Sequence, residues 1–222
     1  MRIPTPLFAG CLLSASVLAA ASAWAGDTDE YKITITNLTP GQPLAPVMAA
    51  SHRPGMSFFE VGQAPSDELA RLAEAGDGAP MAAKLLTMHG VYDAQVSTMG
   101  LTFPGKSTTM VISAKHGSDH VSIGAMLGAT NDAFFAVSDM DLPRGRQSIS
   151  YMANAYDAGS ETNDELCATV AGCGGGPAGY SPNDSGEGFV TIHNGVHGVG
   201  DLNAATMDWR NPVAEIVIER IK

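Results

Sequence analysis

Tyr31-Lys32-Ile33-Thr34-Ile35-Thr36-Asn37 alternates without a break: Tyr31, Ile33 and Ile35 fall on one side of an extended chain, and Lys32, Thr34 and Thr36 on the other. A period of two is that of a half-buried β-strand. The same alternation returns at 108–115, where Met110, Ile112 and Ala114 oppose Thr109, Val111 and Ser113. Strand readings extend to 121–127, 133–138, 147–155, 188–193 and 213–221, with turn residues between them. Helices do not alternate with these strands, as they would around a parallel sheet. The expectation is an all-β chain, folded as an antiparallel β-sandwich of about eight strands.

Two segments break the rhythm. Pro65-Ser66-Asp67-Glu68 opens a run through Leu69, Leu72 and Ala73 that stops at Gly76-Asp77-Gly78, which predicts a short helix capped by Ser66 with acids in its first turn. A second helical stretch is expected from Met81 to Met88. Both are placed as insertions after the first strand. From Leu166 to Gly188 the chain is irregular, with Gly174-Gly175-Gly176-Pro177 and Ser181-Pro182-Asn183-Asp184. Strand-like sequence follows it, so it reads as a loop within one domain, residues 26–222, rather than as a linker.

The first 25 residues carry Arg2 as their one charge, then an apolar run from Leu7 to Ala21, and finish Ala23-Trp24-Ala25. This is the pattern of a secretory signal peptide. A lipobox at Phe8-Ala9-Gly10-Cys11 would leave only the seven preceding residues for both a charged and an apolar region. No later stretch reaches the roughly 18 apolar residues of a membrane span. A secreted or periplasmic protein is therefore expected. Cys11 would leave with the signal, so Cys167 and Cys173 remain as a pair suited to a local disulfide in an oxidising compartment. A zinc or redox pair is disfavoured, because the CxxC spacing is absent. The formal net charge of −11 argues against nucleic acid and anionic lipid as partners.

Tyr156-Asp157-Ala158-Gly159-Ser160-Glu161-Thr162-Asn163-Asp164 packs carboxylates and other oxygen donors into one glycine-broken loop. Calcium takes about six to eight such oxygens. Three segments resemble, in sequence and in order, those of the spondin domain, the N-terminal module of F-spondin and mindin. They are Thr130-Asn131-Asp132-Ala133-Phe134-Phe135-Ala136-Val137-Ser138-Asp139-Met140-Asp141-Leu142, Tyr156-Asp157-Ala158-Gly159-Ser160-Glu161, and the ending Pro212-Val213-Ala214-Glu215-Ile216-Val217-Ile218-Glu219-Arg220-Ile221. With the opening strand, the resemblance spans nearly all of residues 26–222.

The resemblance implies a C2-like antiparallel sandwich with calcium held by loops at one end. Carried over by position, the ligands are Asp132, Asp157 and Glu161, with Asn163 or Asp164 as alternatives. The chain departs from the family at Ala133, where the animal proteins have an aromatic, and at Glu161, where they have aspartate. Without the resemblance, Asp132 and Asp157 read sooner as acids that fix turns through local amides than as ligands.

Other constellations point less sharply to chemistry. His193 and His197 are four residues apart, but Asn194-Gly195 and Gly198 argue against a helix, and the glutamate of HExxH is missing. His116 and His120 flank a Gly117-Ser118-Asp119 turn, and there is no GxSxG elbow. The 11 methionines are scattered, as gap-filling core residues are. In each of the pairs Phe58-Phe59 and Phe134-Phe135, one ring is expected to point inward and the other outward.

The reading is a secreted, calcium-binding β-sandwich without enzymatic activity, acting as a binding or adhesion module for a protein or glycan ligand. Two alternatives are an exported metal-dependent hydrolase and a structural component of an envelope assembly.

Overall fold

The computed structural model describes residues 28–173 and 179–222. The expected signal peptide at 1–25 and Gly174-Gly175-Gly176-Pro177 lie outside them. Among the described residues the strands are β1 (Thr28–Asn37), β2 (Met48–His52), β3 (Val91–Val96), β4 (Ser107–Lys115), β5 (His120–Met126), β6 (Ala133–Asp141), β7 (Ile149–Asp157), β8 (Thr191–Ile192) and β9 (Ala214–Arg220). Helices α1 (Asp67–Ala75) and α2 (Ala79–Leu86) lie between β2 and β3, and α3 (Ala204–Met207) lies between β8 and β9.

Every strand pairing is antiparallel, in the order β3-β2-β5-β6-β7-β9-β1-β4, with β8 added beside β7. β7 forms the corner. Its first half, Ile149 to Ala153, pairs with β9, and its second half, Asn154 to Asp157, pairs with β6. A strand shared in this way folds one continuous sheet back over itself. The outer strand β4 then approaches β3 and β2 and is joined to them by side chains: Asp93 Oδ2 of β3 accepts from the Ser113 amide at 2.8 Å, and Ser51 Oγ of β2 donates to the Ser113 carbonyl at 2.6 Å. The result is a nearly closed, barrel-like sandwich.

Inside it, Ile33, Ile35, Ile112, Ile123, Phe135, Ile216 and Ile218 form the main core. A second core covers the outer face of β2 and β6, where Met48, Ala50, Phe134 and Ala136 pack beneath Leu69 and Leu72 of α1 and Leu85 of α2. Strands covered on both sides have no solvent face, so Phe134 and Phe135 are both fully buried, in opposite cores. The expectation that one of the pair points outward is corrected by this second layer. Helix α1 begins as predicted, with the Ser66 side chain accepting from the Leu69 amide and Asp67 and Glu68 in its first turn. Both inserted helices follow β2 rather than the first strand.

Cys167 and Cys173 form a disulfide, with Cα atoms 5.0 Å apart. Such a bond belongs to an oxidising compartment. No helix among the described residues is long and apolar enough to cross a membrane.

Candidate metal centre

The register of the β6–β7 pair sets Ala133 opposite Asp157, which brings Asp132, one residue before β6, beside the end of β7. The Ala158 amide donates to the Asp132 carbonyl at 3.1 Å and locks the two loops together. Gly159 turns the chain at φ 68°, and its amide donates to Asp157 Oδ1 at 2.7 Å. A side chain at this position would collide with the Phe189 carbonyl oxygen, so the turn requires glycine on both grounds.

Asp132 is fully buried. Its Oδ2 accepts from the Ser160 amide (2.7 Å), the Ser160 hydroxyl (3.3 Å) and the Glu161 amide (3.0 Å), while its Oδ1 has no partner. Burial, reinforced by the negative charge of Asp157, raises its carboxyl to about 7 despite the amides that favour the anion. Asp157 is raised in the same direction, by burial first and by the charge of Glu187, against the hydrogen bonds from Asn163 and Gly159. An unpartnered buried carboxylate oxygen is costly, and two adjacent carboxylates cannot both ionise freely.

Asn163 Nδ2 stands between two acids, 2.7 Å from Asp157 Oδ2 and 3.1 Å from Glu187 Oε1. A hydrogen-bond donor therefore already joins Asp157 to Glu187. Turning the amide over would present Asn163 Oδ1 instead, leaving a set of oxygens only.

Glu161 is placed differently. Its backbone amide serves Asp132, but its buried carboxylate lies with Glu74, Asp184 and the side chain of Ser181. Burial and those neighbouring charges push it up to about 7. Glu74 Oε2 accepts from the Ser181 amide at 2.6 Å, which ties the irregular loop to α1. Asp164 is likewise engaged elsewhere, accepting from Asn131, Leu166 and Thr169. Among the described residues, no group of three or more histidine, cysteine, aspartate and glutamate side chains stands in metal-holding geometry. Asp132 and Asp157 thus form a pair, with Asn163 and Glu187 beside it. Glu187 sits in the stretch read only as irregular loop, and a lone glutamate there gave no spacing signal.

Asp157, Asn163 and Glu187 also line a cleft of about 230 Å³. Its other side is the chain following β8. Asp157 is paired with Thr191, and His193 continues alongside β7 by donating its amide to the Ala155 carbonyl at 3.2 Å. Alternation puts Asp157, Thr191 and His193 on one face. The His193 ring packs against Trp209 at 4.9 Å between centroids, and burial lowers its pKa to about 4. His197 lines the same cleft, its amide held by Glu165.

His120 lies between Asp139 Oδ1 (2.8 Å) and Asp141 Oδ1 (3.2 Å), at the other end of β6 from Asp132. Nearby, His52 Nε2 and Ser122 Oγ are 2.8 Å apart, and His52 Nδ1 lies 2.8 Å from the Arg53 carbonyl oxygen. His52 and Ser122 are both buried, and the space beside them under Phe58 has no room for a water molecule. No family model matches the chain, and no curated protein matches it in sequence.

Proposed function

We propose that this chain is a secreted, spondin-type β-sandwich that binds calcium between the β5–β6 and β7–β8 loops and serves as a binding or adhesion module. The observation that carries the reading is the buried pair Asp132 and Asp157, with Asp132 Oδ1 unpartnered. A divalent cation there would neutralise the pair and satisfy that oxygen. Asp132 and Asp157 would hold it, with the Asn163 amide oxygen as a further side-chain donor and the charge of Glu187 beyond it. When bound, the ion would supply positive charge that offsets the carboxylates of the two loops. Glu161 contributes its amide to Asp132 and its carboxylate to the anchoring of the neighbouring loop.

The test is thermal unfolding in calcium and in chelator, for the wild type and Asp157→Asn. Calcium is expected to raise the melting temperature of the wild type, and the variant to lose most of that rise. A wild-type curve unchanged across millimolar calcium would overturn the reading.

One observation favours a different reading, a serine-type hydrolase distinct from the metal-dependent one. The Ser122–His52 pair has the contact a nucleophile and its base require, with the second ring nitrogen held by a carbonyl. The absence of space beside it keeps substrate away, so a binding role remains the better-supported reading. Turnover of esters that is lost in Ser122→Ala would reverse that preference.

A further inference from the structure

Several polar groups in the wall of the cleft beside Asp157 are already used within the fold. Thr130 Oγ1 donates to the Leu127 carbonyl and accepts from the Ala133 amide. The Glu165 carboxylate accepts from the amides of His197, Gly198 and Val199 at 2.6, 2.6 and 3.0 Å. Other groups are left over. Among the described residues, the side chains of Thr191 and Asn194 line the cleft and have no hydrogen-bond partner. His193 Nδ1 accepts from the Gly195 amide at 3.0 Å, so the imidazole carries its proton on Nε2 and offers a donor.

The lining also limits what can enter. It contains no lysine or arginine, so an anionic ligand finds no counter-charge. Val196 and Leu202 add aliphatic surface to the hydroxyl, amide and imidazole groups. Volume, neutral donors and acceptors, and a small apolar wall together suit a compact, polyhydroxylated ring.

We propose that the cleft binds one neutral sugar residue, its hydroxyls on Thr191, His193 and Asn194 and its C–H face toward Val196 and Leu202. The proposal rests on the calcium reading, because the charge of Asp157 and Glu187 must be offset for a neutral ligand to be preferred over an amine. The sugar itself is recognised by this chain's own donors and acceptors.

Saturation-transfer NMR on the whole protein tests it, with galactose, mannose, fucose and glucosamine as probes, alongside the calcium melting curve. With calcium present, at least one neutral sugar is expected to show transfer. Affinity should fall about fivefold in Thr191→Val and in His193→Phe, the loss of one hydrogen bond each, while both variants keep the calcium-dependent rise in melting temperature. A calcium response without transfer from any neutral sugar overturns the sugar proposal alone. Transfer from glucosamine only, or transfer undiminished in both variants, also overturns it. A melting curve indifferent to calcium removes the cation reading and the sugar proposal with it.

Discussion

Asp132 sets one carboxylate oxygen among donors from Ser160 and Glu161 and the other against nothing, within reach of the charge on Asp157. Without a cation, the negative charge is a burden to the fold. Asp132→Asn keeps an oxygen for the Ser160 and Glu161 amides and puts an NH₂ where the unpartnered oxygen was. In chelator at pH 8 the variant should therefore be more stable than wild type by about 1 kcal/mol, as read by denaturant melts. In calcium the order should invert, because only the wild type gains from the ion. His193 makes the pH-dependent prediction. Its folded pKa of about 4 lies below the usual 6.5 of a solvated imidazole, with His197 adding to the burial effect and Glu165 and Asp208 opposing it. Between those values the unfolded chain takes up a proton that the folded chain refuses. The stability it contributes is complete above about 6.5 and is lost as the pH falls toward 4. His193→Gln should flatten that acid limb by about 3 kcal/mol relative to wild type, measured as the difference between the two stability–pH profiles.

β7 decides the architecture by changing partners at Ala153 and Asn154, and its far end delivers Asp157 to the site. β1, β4 and β9 were legible in the sequence because each has a wet face, so that apolar and polar residues alternate. β2 was not. All of Met48–His52 is buried, between the main core and the helices, and a strand covered on both faces carries no period of two. β3, at the sheet edge with little of it buried, has no strong pattern either. With β2 silent in the sequence, α1 and α2 read as insertions after the first strand. The run at 188–193 shrinks to Thr191–Ile192 because only those residues pair with β7. At the candidate site, Asp132 and Asp157 were readable as acids at strand ends. The departure of the Glu161 side chain toward Glu74 was not, since it depends on where α1 docks. Glu187 arrives through an irregular loop whose path only tertiary packing determines.

The whole molecule places its candidate site at the end of a nearly closed sandwich, where the loops before β6 and after β7 meet. A chain of net charge −11 draws divalent cations toward it without specificity, so weak binding over the surface carries no weight. Specific binding requires a single seat between two particular loops. Apart from the buried Glu74 and Glu161, acids such as Glu219 and Glu68, which pair with Lys32 and Lys84, should add only diffuse, salt-sensitive association. The direct measurement is a calorimetric calcium titration of the wild type and of Asp132→Asn at physiological ionic strength. Saturable binding of about one ion per wild-type chain is expected and none in the variant, whose fold is verified by an intact cooperative melt. Equal binding by the two proteins, or no saturable binding by the wild type, would contradict it.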